Sequence, residues 1–330
     1  MSGDLRLTYE AVKGIFSIIP SPSKPDAASA TAESTVDLEE TARATKALID
    51  DGVDAIMTTG TLGEGSTLTE EEWREINPVI VNAAEGRVPI IVGATTLNTR
   101  DTIKRATFAR DIGAQGLFLG RPMWCEMSQE AIVEFYSEIA KAVPELGIII
   151  YDNPSAFKGR VGTNTYEKLA EIPQVVGSKY TTFDWANYRA TVKKVKGRIR
   201  MMPTDRDWFV AWSWFPEDTL ACWSPSASCD PFPLVKLREA IFSKDIDRAR
   251  DLSEQIASAY EGWYPRGDPH LFSIYNIPMA KIRFDAAGYI RAGPVRHPYG
   301  AIPEEIAGNA RRVGERWKEL ARKLRMQENV

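Results

Sequence analysis

Apolar residues in this chain come as short unbroken runs, set apart by longer stretches with helical spacing. The runs are IFSIIPSP (15–22), VDAIMTTG (53–60), VPIIVGAT (88–95), QGLFLGRP (115–122), GIIIYDNP (147–154), QVVGSKYT (174–181), RIRMMPTD (198–205) and TLACWSPS (219–226). Each has the length of a strand covered on both faces, as in a parallel sheet. The stretches between them, from DLEETARATKALIDDG to FDWANYRATVKKVKG and a shorter one after Asp205, read as helices. Several open on a cap-like residue with acids behind it, as in Thr69-Glu70-Glu71-Glu72, and several close on glycine, at Gly52, Gly86, Gly113 and Gly197. Eight strands alternating with helices predict a parallel sheet, and eight is the number that closes a barrel. A doubly wound open sheet is the alternative, but no G-x-G-x-x-G follows the first run. The expectation is an α/β protein, a (β/α)8 TIM barrel over residues 1–244. Past residue 244 the alternation stops. DIDRARDLSEQIASAYEGW, HLFSIYNIPMAKIRFDAAG and PEEIAGNARRVGERWKELARKL then predict a C-terminal helical extension over 245–330, packed on the barrel because no Pro/Gly/Ser-rich linker precedes it.

Composition narrows the functional classes. With 44% hydrophobic and 26% charged residues and a formal net charge of −4, this is an ordinary globular chain with no electrostatic reason to bind nucleic acid or an anionic membrane. The basic block KKVKGRIR (193–200) reads as a solvated helix end. No apolar stretch approaches the roughly 20 residues of a membrane span, and MSGDLRLTYEAVKG lacks the apolar core of a signal peptide, so a cytoplasmic protein is expected. Cys125, Cys222 and Cys229 are odd in number and unpatterned, which predicts neither a disulfide framework nor a zinc site. His270 and His297 are the only histidines, a poor inventory for a catalytic histidine or a metal centre.

In a barrel of this kind the chemistry gathers where strands end and loops begin. The second run ends in TTGTLGEG, where glycines at 60, 63 and 65 let the backbone turn and expose N–H groups beside the Thr61 hydroxyl. Followed by a helix start at Thr69, such a loop suits a carboxylate or phosphate. By itself it is equally an ordinary glycine-rich loop. The fifth run ends on Tyr151 and the sixth on Lys179. Burial shifts a lysine toward the neutral amine that attacks a ketone; the bland alternative is a lysine reaching out to the rim. A tyrosine ending the adjacent strand would face the same bound molecule and could relay protons, or could be core.

Taken together, Gly60-Thr61-Leu62-Gly63-Glu64, Tyr151-Asp152-Asn153-Pro154 and Gly177-Ser178-Lys179 resemble, in order and separation, the class I pyruvate aldolase superfamily of dihydrodipicolinate synthase and N-acetylneuraminate lyase. The resemblance spans nearly the whole chain. It implies a Schiff base between Lys179 and the keto carbon of a pyruvoyl group, with Tyr151 as proton shuttle and Gly60, Thr61 and Leu62 on the carboxylate. It also implies a homotetramer. Neither metal nor added cofactor is needed by such chemistry, because the iminium on Lys179 is itself the electron sink.

Departures from the synthase pattern point to a branch. Ser155 and Ala156 follow Pro154 where the synthase carries an arginine for a second carboxylate, which argues against aspartate semialdehyde. Leu62 replaces a threonine, and Pro122-Met123-Trp124 stands where the synthase has paired tyrosines. Met123, Trp124, Phe157 and Trp223 suit a flat aromatic substrate, unless some of them are simply core. GRPMWCEMS, YDNPSAFK, ACWSPSASCDP, YNIPMAKIRFDAAG and RAGPVRHPY resemble the hydratase-aldolases of aromatic hydrocarbon degradation, which act on trans-o-hydroxybenzylidenepyruvate or carboxybenzalpyruvate. That resemblance implies conversion of a trans-arylidene pyruvate to an aromatic aldehyde and pyruvate. Asn153, Trp223, Ser224 and Asn276 would position substrate or water, with Trp124 and Phe157 along the ring. The rival within enzymes is a retro-aldolase or dehydratase for a sugar-acid or other 2-keto acid, which would need polyol-binding groups where Met123, Trp124 and Trp223 stand. A catalytically silent barrel that senses a keto acid is the rival outside them, and the presence of both Tyr151 and Lys179 argues against it.

Overall fold

The computed structural model describes residues 5–181 and 184–328. Residues 1–4 of the N-terminal stretch, together with Thr182 and Phe183 at the expected start of the helix after the sixth run, lie outside the described residues. The elements follow in the order β1 (Gly14–Ile18), α1 (Leu38–Asp50), β2 (Ala55–Met57), α2 (Glu70–Ala84), β3 (Ile90–Gly93), α3 (Thr99–Asp111), β4 (Gly116–Leu119), α4 (Gln129–Ala142) and β5 (Gly147–Asp152). Then come α5 (Pro154–Phe157), α6 (Thr163–Leu169), β6 (Val175–Tyr180), α7 (Trp185–Val195), β7 (Arg200–Met202), α8 (Trp208–Trp214), β8 (Ala221–Ser224) and α9 (Phe232–Ser243). The chain ends with α10 (Ile246–Ala259), α11 (Pro269–Ala287) and α12 (Glu304–Glu328). The sheet order is β7-β6-β5-β4-β3-β2-β1-β8, so each strand lies beside its neighbour in sequence. Thr204, just after β7, bridges in parallel to Trp223 of β8. This is the topology of a (β/α)8 TIM barrel, with α10 to α12 as its C-terminal helical extension.

Two compact units make up the chain: Met1–Phe16 with Pro89–Trp223, and Ser17–Val88 with Ser224–Val330. In the first, β3 to β7 pair in parallel in sequence order. Between β5 and β6 the register slips once: Ile148 stands opposite Val175, but Ile149 stands opposite Gly177. Val176 is thus the extra residue of a β-bulge. Continued without the slip, the ladder would set Tyr151 against Ser178; with it, Tyr151 stands opposite Lys179. A Cβ on Gly177 would fall 2.6 Å from Cδ1 of the buried Ile149, so any larger residue at the bulge must displace that side chain. The expected solvated helix end holds for Lys193, Lys194, Lys196 and Arg198, which are exposed. Arg200 does not follow it, being buried in β7 and donating to the carbonyls of Glu217 and Asp218.

In the second unit the acids behind Thr69 have a specific use. Glu72 Oε2 accepts from the Thr69 N–H while the Thr69 hydroxyl accepts from the Glu72 N–H, a capping box at the start of α2. The extension gathers around Arg283, whose guanidinium lies 4.7, 4.9 and 5.8 Å from the ring centroids of Tyr260, Trp263 and Trp317. Two helices escape the sequence pattern. α5 is a single turn, opened by the Asn153 side chain with Pro154 in its first turn, and is too short to show a period. α9 carries apolar residues all round, so its spacing gives no clear stripe. All three cysteines are free. Among the described residues no helix is long and apolar enough to cross a membrane.

Candidate active site

The bulge between β5 and β6 brings an amine and a phenol side by side at neighbouring strand ends. Lys179 is 5% exposed, and its Nζ lies 4.8 Å from the centroid of the Tyr151 ring and 3.5 Å from that of Trp223. Among the described residues no carboxylate forms an ion pair with it. Burial lowers the amine from its ordinary value of 10.5 to about 7, and the negative charge of Asp152 works against that fall. Near neutral pH a large fraction of Lys179 is therefore the free-base nucleophile.

Each neighbour of this amine is held by a contact of its own. The Tyr151 ring stacks on Phe118 with centroids 4.3 Å apart and meets Phe157 edge-on at 5.0 Å. Its hydroxyl accepts a hydrogen bond from Asn153 Nδ2 at 3.2 Å, while Asn153 Oδ1 accepts from the Ser155 N–H and so caps α5. One asparagine thereby fixes both the phenol and the turn that carries Phe157. Trp223 donates its indole N–H to the Tyr180 carbonyl at 3.2 Å, which turns the indole face toward Lys179. The structure thus assembles Lys179, Tyr151, Asn153, Phe157 and Trp223. Trp124 stands apart from them: it is 76% exposed, and its carbonyl accepts from Lys158 Nζ at 2.6 Å.

The remaining expected site residues belong to the second unit. Gly60, Thr61 and Leu62 are half-buried in the loop after β2. That loop folds back on itself, with the Glu64 N–H on the Thr61 carbonyl and the Gly65 N–H on the Gly60 carbonyl, both at 3.0 Å. Gly65 permits the turn, since a Cβ there would sit 2.1 Å from the Thr59 carbonyl oxygen. Ser224 is fully buried, and its hydroxyl accepts from the N–H of Ala227 in the 3-10 turn at Ser226–Cys229. Asn276 lies half-buried in α11, and its Oδ1 finds no hydrogen-bond partner among the described residues.

Sequence reasoning missed what anchors the loop. The buried carboxylate of Glu64 receives Lys281 Nζ at 2.6 Å and Arg296 Nη1 at 2.5 Å, while its other oxygen takes the Arg296 N–H at 2.9 Å. Arg296 goes on to Thr35 and to the carbonyls of Ser21 and Pro22. Burial lowers the Lys281 amine to about 8, against the pull of Glu64. The available signal was Lys281 and Arg283 amid the apolar residues of IPMAKIRF, charges placed where a helix needs a buried face. Glu64→Ala leaves two buried cations without their shared acid, and should destabilise the protein by about 3–5 kcal/mol in urea unfolding. A loss under about 1 kcal/mol, the scale of a surface pair, would show that the cluster is solvated.

The sequence profile described as the dihydrodipicolinate synthetase family matches residues 24–209. The chain belongs to this family. Within it, the chain is 43% identical to a trans-O-hydroxybenzylidenepyruvate hydratase-aldolase of Sphingobium xenophagum, over 95% of this chain and 96% of that protein. It is 40% identical to a trans-2'-carboxybenzalpyruvate hydratase-aldolase of Nocardioides sp. (strain KP7), over 96% of each chain. Among solved structures, one described as PhdJ bound to substrate intermediate superposes with a TM-score of 0.95 at 40% identity, covering 97% of this chain and 99% of the other. A dihydrodipicolinate synthase from Acinetobacter baumannii complexed with pyruvate gives a TM-score of 0.76 at 26% identity, covering 93% and 99%. The family match takes in all three motifs, from Gly60 to Lys179. Trp223, Ser224 and Asn276 lie beyond it, in the part of the chain that the full-length relatives also cover.

Proposed function

We propose that this protein is a hydratase-aldolase, a lyase that converts a trans-arylidene pyruvate into an aromatic aldehyde and pyruvate through a Schiff base on Lys179. The observation that carries the proposal is the desolvated amine of Lys179 packed against the phenol of Tyr151 and the face of Trp223. The Lys179 nitrogen bonds the keto carbon, and the keto oxygen leaves as water. The iminium then draws electrons along the conjugated double bond, so that water adds at the carbon bearing the ring. Tyr151 takes the proton of the new hydroxyl as the bond between the hydroxyl-bearing carbon and the neighbouring former alkene carbon breaks, with its electron pair passing into an enamine. Protonation of the enamine carbon and hydrolysis release pyruvate and restore the amine.

The aromatic walls support the substrate class. Trp223, Phe157 and Phe118 surround the reacting pair in the first unit, and a flat conjugated ring packs against such faces better than a polyol does. Gly60, Thr61 and Leu62 are assigned to the substrate carboxylate, supported by their half-buried place in a tight glycine turn. Asn153 and Asn276 are assigned to the hydration water or ring substituent, Trp124 to the ring, and Ser224 to substrate binding. The lysine serves as electron sink, so the reaction proposed uses neither metal nor added cofactor. Homotetrameric assembly, by family resemblance, and a cytoplasmic location complete the proposal.

A turnover screen tests it. Substituted benzylidenepyruvates, followed by loss of their conjugated absorbance, should be cleaved far better than N-acetylneuraminate or a sugar-derived keto acid. Pyruvate and aspartate semialdehyde should not condense. Efficient cleavage of a polyhydroxylated keto acid, with none of any benzylidenepyruvate, would replace the branch assignment with a sugar-acid aldolase.

A further inference from the structure

Behind the reacting pair, on the opposite face of the same two strands, lies a buried polar cluster that the proposed chemistry does not use. Side chains alternate along a strand, so Asp152 points away from Tyr151, and Ser178 points away from Lys179. Asp152 and Arg121, each 1% exposed, pair at 3.3 Å. Tyr166 of α6 joins the two strands, its hydroxyl 3.3 Å from Asp152 Oδ2 and 2.8 Å from Ser178 Oγ. The Val161 N–H adds a contact to Asp152 at 3.4 Å, and Arg121 also donates to the Gly159 carbonyl at 2.6 Å. The strap therefore ties the loop after β4, the end of β5, helix α6 and the residue preceding Lys179.

A buried ion pair is a poor source of stability. Replacing such a pair by apolar side chains of similar size is commonly neutral or favourable. A reason other than stability therefore has to explain why charges stand here. We propose that Asp152 is a positioning residue for Lys179: held by Arg121 and Tyr166 behind the sheet, its carboxylate stabilises the cationic amine and the iminium made from it. The inference rests on the Schiff-base reading of Lys179. Trp223 and Tyr151 crowd the amine with ring faces, and the Asp152 carboxylate follows Tyr151 directly on β5, one step along the ladder from the Tyr151–Lys179 pair and behind it. Burial would otherwise leave an amine too weakly basic to become a stable iminium. The groups facing Asp152 are Arg121, Arg160, Tyr166, Tyr136 and Tyr180, together with Lys179. Burial pushes the Asp152 carboxyl up, and Arg121 holds it back toward the carboxylate.

The test follows the pH dependence of cyanoborohydride trapping of pyruvate by the whole enzyme. Only the neutral amine attacks, so trapping in the wild type should rise with pH through a midpoint of about 7. Asp152→Asn keeps the shape and most hydrogen bonds but removes the charge, and should move that midpoint down by about one pH unit. It should also lower the trapped fraction at equilibrium, since the iminium loses its counter-charge. Asp152→Asn leaves Arg121 buried without its partner, so the double variant Asp152→Asn/Arg121→Met removes both charges and protects the fold. A strap with a purely structural role predicts the wild-type midpoint in the double variant; charge support predicts a downward shift there too, smaller than in Asp152→Asn because the opposing Arg121 charge is also removed. An unchanged midpoint in either folded variant would overturn the inference while leaving the Schiff base intact. Absence of any wild-type adduct on Lys179 would overturn both.

Discussion

Replacing Lys179 by alanine should abolish turnover, with a loss of about four or more orders of magnitude and no adduct after treatment with pyruvate and borohydride. The size of the effect follows from the chemistry: without the amine there is no iminium, and neither the hydration nor the cleavage has an electron sink. Other lysines are poorly placed to substitute. Lys158 is exposed and spends its ammonium on the Trp124 carbonyl, while Lys281 is buried but bonded to Glu64, Ser23 and the Pro294 carbonyl. Lys179 differs from both in being buried among rings with no acid in contact, which is what leaves it partly neutral near pH 7. Intact-mass measurement should find one pyruvate-derived addition in the wild type, mapped to Lys179, and none in the variant. An adduct that persists in Lys179→Ala, or that maps to Lys158 in the wild type, would sink the assignment.

Tyr151 and Lys179 could be found in the sequence because parallel barrel strands are covered on both faces. A polar residue ending an otherwise apolar run stands out against that background. The eight runs and the Thr69 cap were visible for the same reason, since each rests on a local pattern. What brings the two residues opposite each other was not visible: it depends on the single extra residue at Val176, and a one-residue change of register leaves the composition of a strand unaltered. Glu64 and Lys281 are 217 positions apart, so no window of sequence contains their pairing. Nothing local marks Asp152 and Arg121 as a buried pair, because burial is a property of what packs around them. Trp124 is a case where exposure was not legible. Its size and apolarity suggested a pocket wall, but the loop that carries it leaves the indole 76% exposed.

Removal of one oxygen at Tyr151 should separate the two halves of the reaction. Tyr151→Phe keeps the ring, and with it the stacking on Phe118 and the edge contact with Phe157, so the neighbourhood of Lys179 should stay in place. What is lost is the hydroxyl that accepts from Asn153 and that the proposed reaction uses as its base. Schiff-base formation needs the amine and not the phenol, so trapping with pyruvate should remain close to wild type. Cleavage needs a group to take the proton from the hydroxyl created by hydration, and should slow by about two or more orders of magnitude. Rapid mixing with a benzylidenepyruvate should then show a covalent substrate adduct building up ahead of the break, because capture continues while the carbon–carbon bond waits for its base. Asn153→Ala should give a smaller loss in the same step, since it leaves the phenol in place but removes the amide that orients it. Cleavage at the wild-type rate in Tyr151→Phe, with normal trapping, would take Tyr151 out of the mechanism and leave bound water as the base.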